Sequence, residues 1–293
     1  MTRDGILSLV GRLPDFVVVG APKAGTSSLA RYLSLHPDIH MSHPKEPNFF
    51  NDAAHYGRWN RGIFWYRTQF RTARAVCGEA SPGYAAWPAR PRVAERMGAT
   101  IPAAKLIYLV REPLSRLRSH YLMQVRQGRF DGSFDAFTSS PTAADAQCAS
   151  RYGTQLRHFF EFYPPGQVLI VESASLAARR EETMATIFRF LGVDDTFRSD
   201  GFAEEYNSNE DKTFPDARGV RLLRSAPVKL LQWGLPRRVF WKVRRLLLRP
   251  FAGSPPPATL SPEVEASLRA QYRAEVTLLR ELSGLPLSSL DRE

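Results

Sequence analysis

A chain of 293 residues that is 43% hydrophobic and 11% aromatic can bury one large α/β core or two modest ones, and we expect one domain with an appended C-terminal region. Its two cysteines, Cys77 and Cys148, lie far apart with no histidine cluster, which argues against a disulfide framework or a zinc site and for a reducing, cytoplasmic setting. The net charge of +11 is concentrated, because residues 217–262 hold ten Lys/Arg and no Asp or Glu.

Near the start, only Ile6 to Val10 forms an apolar run, too short for a signal h-region or a membrane span, so nothing there is expected to direct export. Phe16-Val-Val-Val-Gly20 is a β-branched run ending at glycine, as a buried parallel strand would be. A helix is expected from Thr26 to Leu35, stopped before Pro37. A second buried strand is Lys105-Leu-Ile-Tyr-Leu-Val110, followed by Arg-Glu-Pro and an amphipathic helix through Gln127 with Pro113 in its first position. Residues 130–150, rich in Ser, Ala, Asp and Thr with little periodicity, are expected to be a surface loop and mobile lid. A helical pattern from Tyr152 to Tyr163 leads to a third strand, Gln167-Val-Leu-Ile-Val171, and a helix from Glu181 to Leu191 ends at Gly192. The proline run Ser254-Pro-Pro-Pro257 reads as a stiff linker into a final helix. That helix has Ser261 as N-cap, Pro262 at its first position, an apolar face of Val264, Leu268, Tyr272, Leu279 and Leu282, and Gly284 as its stop. Strand and helix alternate, which predicts an α/β fold with a central parallel sheet flanked by helices. The expected division is a core over residues 1–215, a basic aromatic segment with its proline linker over 216–258, and a C-terminal helix over 259–293 packed on the core.

Between the first strand and the first helix stands Gly20-Ala-Pro-Lys-Ala-Gly-Thr-Ser-Ser28. Glycines let the backbone turn closely around an anion while the free N–H groups at the helix start point at it. The nucleoside-triphosphate version of such a loop needs its lysine directly after the second glycine, where this chain has Thr26. Lys23 instead sits mid-loop, and Thr26, Ser27 and Ser28 offer hydroxyls, which suits one 5′-phosphate plus a transferred group without an obligatory magnesium ion. The expected architecture is therefore P-loop-like and three-layered.

At these residues the chain resembles the sulfotransferases that use 3′-phosphoadenosine 5′-phosphosulfate (PAPS), whose loop reads Pro-Lys-x-Gly-Thr-Ser/Thr. Lys45-Glu-Pro-Asn-Phe-Phe50, Tyr56-x5-Gly62-x2-Trp65-Tyr66, Gly78-Glu-Ala-Ser-Pro-Gly-Tyr84 and Arg111-Glu-Pro-x-x-Arg-x-x-Ser119-His-Tyr121 resemble the heparan-sulfate and bacterial branch, in the same order. The resemblance spans residues 16–192 and the final helix. It implies PAPS as co-substrate, no metal, and transfer of a sulfonyl group to a hydroxyl or amine. Sulfonyl transfer needs in-line attack, a base for the acceptor proton and positive charge at the departing oxygen. By resemblance, Lys23 would meet the leaving 5′-phosphate, with Ala24, Gly25, Thr26, Ser27 and Ser28 around it, and Arg111 and Ser119 would grip the 3′-phosphate. Glu46 would be the general base; apart from the resemblance it reads as a solvated carboxylate beside Lys45. His36, His40 and His43 read as polar loop residues, with His43 kept as a rival base because histidines as a class titrate near neutrality.

The chain departs from the family in two places. Many relatives carry a lysine after the glutamate of the Glu-x-Ser-Pro segment, where Ala80 stands here, and Lys45 is the expected replacement cation. The C-terminal basic cofactor loop is poorly matched, with Lys212 and Arg218 as candidates. Residues 228–251 mix aromatics and leucines with basic residues, and fit a peripheral contact with anionic membrane, a wall of an acceptor cleft, or a basic helix with solvated charges. The acceptor is expected to be a small molecule, lipid or glycan, and no nucleic acid partner is expected. A small-molecule kinase would need the Walker lysine. A basic membrane- or nucleic-acid-binding protein would leave the loop, Glu46 and Arg111 without a role.

Overall fold

The computed structural model describes residues 10–204, 214–225, 227–228 and 237–291. Five strands, β1 (Phe16–Gly20), β2 (Ile39–Met41), β3 (Val76–Ala80), β4 (Lys105–Val110) and β5 (Val168–Glu172), form one parallel sheet in the order β2-β3-β1-β4-β5. Val18 pairs with Ala80 on one side and Ile107 on the other, which brings the carboxyl ends of β3, β1 and β4 together. The chain runs from β1 outward to one edge and returns past it to the other, so the strand order reverses beside β1. In open parallel sheets the ligand crevice lies at such a switch point, outside the carboxyl ends of the strands.

Every residue of β1 is buried, and β4 from Leu106 to Val110 likewise, as a strand covered on both faces demands. Helices α1 (Thr26–Leu35), α2 (Gly62–Arg67), α3 (Val93–Thr100), α4 (Pro113–Arg126), α5 (Phe134–Thr138), α6 (Ala144–Cys148), α7 (Tyr152–Phe160), α8 (Ser173–Ala178) and α9 (Arg180–Leu191) follow in chain order. The segment after them holds α10 (Ala217–Arg224), α11 (Arg237–Leu248) and a two-residue antiparallel ladder, β6 (Phe214–Pro215) with β7 (Ala252–Gly253). The last helix is α12 (Pro262–Ser283).

The predicted β1, α1, β4 and α4 stand where expected, β5 begins one residue later, and α7 stops at Phe160. Residues 130–150 are not a loop. The Ser133 hydroxyl caps α5 by accepting the Ala136 N–H at 3.2 Å, and Phe134 and Phe137 are buried, the Phe134 ring 4.9 Å from that of Tyr121 on α4. Phe130, Phe134 and Phe137 recur at helical spacing within a composition that otherwise reads as a loop, and they anchor the segment in a second apolar cluster with Leu268 and Tyr272 of α12.

α12 docks on α7, where the Glu275 carboxylate accepts the Thr154 N–H at 2.8 Å and the Thr154 hydroxyl at 2.7 Å. Ser261 does not cap α12 with its side chain; its own N–H donates to Asp135 at 3.0 Å. Lys212 and residues 229–236 lie outside the described residues. Leu222 and Leu223 of α10 line one apolar cavity with Val228 and with Phe240, Val243 and Leu248 of α11, and among the described residues no helix is long and apolar enough to cross a membrane.

Candidate active site

The loop at residues 20–28 is held in shape from beneath. Ala21 N–H donates to the Leu109 carbonyl at 2.6 Å and Ala24 N–H to the Ala21 carbonyl at 3.1 Å, which folds the chain back over the end of β4. Lys23 at φ 72° and Gly25 at φ 100° are both left-handed, a conformation that suits glycine and costs Lys23 about 1 kcal/mol. The two turns let α1 start at Thr26 with no side-chain cap and no acidic residue in its first turn. The positive end of α1 is therefore presented at the loop with no side-chain cap, the arrangement that binds an anion. Gly20 is required by packing, since a Cβ there would come within 2.7 Å of both Ala85 Cβ and the Tyr108 ring.

Two arginines from the strand-to-helix unit β4-α4 hold the loop's carbonyls. Arg111 Nη1 donates to the Lys23 carbonyl at 3.4 Å, and Arg116 Nη1 to the Pro22 carbonyl at 3.2 Å. Arg116 is completely buried and also donates through Nε to Ser150 Oγ at 2.8 Å and through Nη2 to the Ala146 carbonyl. With the Pro22 and Lys23 carbonyls held, the loop keeps its shape over the end of β4. Glu112 caps α4 by accepting the Leu114 N–H at 2.8 Å and the Ser115 N–H at 2.5 Å, and so fixes the turn that carries both arginines.

On the opposite wall, the segment after β2 runs beside β3. Ser42 N–H donates to the Gly78 carbonyl at 2.9 Å, Ala80 N–H to the Lys45 carbonyl at 3.1 Å, and Asn48 N–H to Ser81 Oγ at 3.1 Å. This alignment aims Lys45 across the crevice: its Nζ lies 2.9 Å from Ser27 Oγ and 3.0 Å from Glu46 Oε1. Predicted base, predicted replacement cation and phosphate loop therefore meet, and the Lys45 backbone lies against Ala80, the position whose lysine this chain lacks.

The model for the sulfotransferase family matches residues 14–197. The chain belongs to the sulfotransferase family. Human bifunctional heparan sulfate N-deacetylase/N-sulfotransferase 2 is 31% identical over 203 residues, which cover 62% of this chain and 22% of that protein. Human heparan sulfate glucosamine 3-O-sulfotransferase 6 is 30% identical over 190 residues, 62% of this chain and 53% of the relative. The chain thus spans less than two thirds of the length of either. A solved sulfotransferase from Alicyclobacillus acidocaldarius superposes with a TM-score of 0.68 at 22% identity, over 96% of this chain and 100% of that one, which shows the shared fold.

Ser119 is half-buried on α4, and Arg218 is exposed on α10, a helix that packs by Leu223 against Gly128, beyond the far end of α4. His43 is exposed. His36 is no polar loop residue: it is buried between the rings of Phe188 and Phe197, 4.7 and 4.8 Å away, with Nε2 3.0 Å from the Asp194 carbonyl oxygen. Among the described residues no group of His, Cys, Asp and Glu is arranged to hold a metal ion.

Sequence reasoning gave no role to three buried polar residues around the site. Arg116 left only its place in the Arg-Glu-Pro-x-x-Arg pattern as a signal. His120 on α4 has its Nε2 3.0 Å from Gln124 Nε2, and burial, then the charges of Arg116 and Lys23, push its pKa down to about 3. Glu79 at the end of β3 is wholly buried and accepts hydrogen bonds from the hydroxyls of Tyr66, Ser81 and Tyr84. Burial, with Glu46 as a further cause, pushes Glu79 up to about 7, against the pull of those three hydroxyls.

Proposed function

We propose that this protein transfers the sulfonyl group of PAPS to a hydroxyl or amine of an acceptor by in-line displacement, without a metal. The observation that carries this reading is the meeting of Lys45, Glu46 and Ser27 at the rim of an anion-binding loop whose carbonyls are tied back by Arg111 and Arg116. PAPS would supply a sulfonyl group activated by its 5′-phosphate. The backbone from Ala24 to Ser28 at the N-terminus of α1, with the hydroxyls of Thr26, Ser27 and Ser28, would hold that phosphate. Lys23 would offset the charge that grows on the bridging oxygen, and Arg111 with Ser119 would hold the 3′-phosphate. Lys45 would supply the cation that Ala80 cannot, and Glu46, its carboxylate oriented by Lys45, would draw the acceptor's proton.

The relatives named for heparan sulfate chemistry favour a glycan acceptor over a lipid or small natural product. Thr26 in place of the Walker lysine disfavours a kinase. Arg218 would serve the cofactor only if α10 closed toward the loop, and exposed Leu246 and Leu247 on α11 suit a peripheral contact with anionic membrane. The test is Glu46→Gln with PAPS and N-desulfated heparin. Turnover is expected to fall about 100-fold or more while adenosine 3′,5′-bisphosphate (PAP) still binds; wild-type turnover in this variant would move the base elsewhere, with His43 next in line.

A further inference from the structure

Glu79 is a carboxyl with no cation among its partners, sealed at the end of the strand that borders the base. Its three hydroxyl donors come from three places: Tyr66 from α2, Tyr84 from the turn at Pro82–Tyr84, and Ser81 from the next residue but one. Two of these donors reach on to the catalytic segment. Ser81 Oγ accepts the Asn48 N–H at 3.1 Å, and Tyr84 OH accepts the Phe50 N–H at 3.4 Å. Ala80, beside Glu79, adds its own N–H to the Lys45 carbonyl at 3.1 Å. The stretch from Lys45 to Phe50 is thus tied at its start, middle and end to the residues around one buried carboxyl.

We propose that Glu79 is a positioning residue for sulfonyl transfer: through the hydroxyls of Ser81 and Tyr84, which its carboxylate holds, it sets the segment that carries Lys45 and Glu46. This rests on the reading of Glu46 as the base. The ionisable groups acting on Glu79 are the phenols of Tyr66 and Tyr84 and the Glu46 carboxylate, with the Lys45 ammonium beyond Glu46. Burial and Glu79 itself push both phenols well above their ordinary range, so they remain neutral donors. Glu79 is therefore the group of this cluster whose charge changes near neutral pH. Ionised, Glu79 only accepts and can hold all three hydroxyls; protonated, it carries a donor of its own that competes with them and loosens the links through Ser81 and Tyr84. Where Glu79 is neutral the segment is held less firmly, and the chemical step slows.

The experiment is the pH profile of PAP release from PAPS, with water alone and with N-desulfated heparin, for the wild type, Glu79→Gln, Glu79→Asp and Ser81→Ala. Wild-type turnover is expected to rise through about pH 7, roughly tenfold in all. Glu79→Gln loses the step and stays at the low-pH rate with PAP affinity within about twofold, Glu79→Asp recovers part of it, and Ser81→Ala keeps the step at a lower plateau. A Glu79→Gln profile that keeps the wild-type step overturns the proposal. Should Glu79→Gln fail to fold, carbon-13 NMR of the glutamate carboxyls decides: one resonance must titrate near pH 7 in the wild type and at lower pH in Glu46→Gln. A wild type in which no glutamate resonance titrates near pH 7 overturns it equally. Full turnover of Glu46→Gln removes the base reading instead, a different failure from loss of the Glu79 step.

Discussion

Replacing Glu79 by glutamine tests whether a carboxyl can be stored neutral inside this sheet. Burial first, and Glu46 with it, push the acid from 4.5 to about 7, so between those values the folded protein keeps a proton that the unfolded chain has released. The stability this contributes is complete below pH 4.5 and is lost as the pH rises through about 7. Over roughly 2.5 pH units it amounts to about 3 kcal/mol. Glu79→Gln keeps the shape and loses the titration. Urea denaturation followed by tryptophan fluorescence at a series of pH values gives the unfolding free energy of each protein, and their difference isolates Glu79. That difference, wild type minus variant, is expected to fall by about 3 kcal/mol between about pH 4.5 and about pH 8. A difference constant to within about 0.5 kcal/mol across that window would refute the reasoning, because Glu79 would then ionise alike in both states.

His120 should behave with the opposite sign: its pKa is pressed from 6.5 to about 3, so its contribution is present above pH 6.5 and lost as the pH falls through about 3. Across roughly 3.5 pH units this is about 5 kcal/mol, and His120→Gln should lose that part of the acid sensitivity in the same denaturation series. Arg116→Met strands the Pro22 and Ala146 carbonyls and the Ser150 hydroxyl, and is expected to cost about 3 kcal/mol with a parallel loss of PAP affinity; calorimetric unfolding and PAP titration check both. Gly20→Ala drives a methyl group against Ala85 and Tyr108 and should cost about 1–3 kcal/mol, read as a lower unfolding midpoint.

Much of the fold was legible because buried parallel strands are written as unbroken apolar runs. Val17 to Val19 and Leu106 to Val110 could hardly be anything else, and Gly25 and Pro113 mark where their helices begin. β3 escaped because Val-Cys-Gly-Glu-Ala carries a glycine and a carboxylate inside a strand, and both are explained only in three dimensions. Gly78 must leave room for the Phe16 ring, 2.5 Å from where its Cβ would be, and Glu79 is tolerable only because three hydroxyls from residues 66, 81 and 84 converge on it. The same distinction divides the site. The loop, Lys45, Glu46 and Arg111 are local patterns, visible in one stretch of chain each. Arg116 and His120 are polar residues on an amphipathic helix, and nothing local says that they face inward. Residues 130–150 misled because serine, alanine and aspartate outnumber the aromatic residues whose spacing decides the structure.

The central claim is that the loop at residues 20–28 and Arg111 together bind the phosphates of PAPS. Calorimetric titration with PAP, set against ATP with magnesium and repeated on Lys23→Ala and Arg111→Ala, tests it directly. The account predicts binding of PAP with a Kd of about 1 μM, weakened roughly tenfold or more by either substitution, and little affinity for ATP with magnesium. Preferential binding of ATP with magnesium, or PAP binding indifferent to both substitutions, would contradict it.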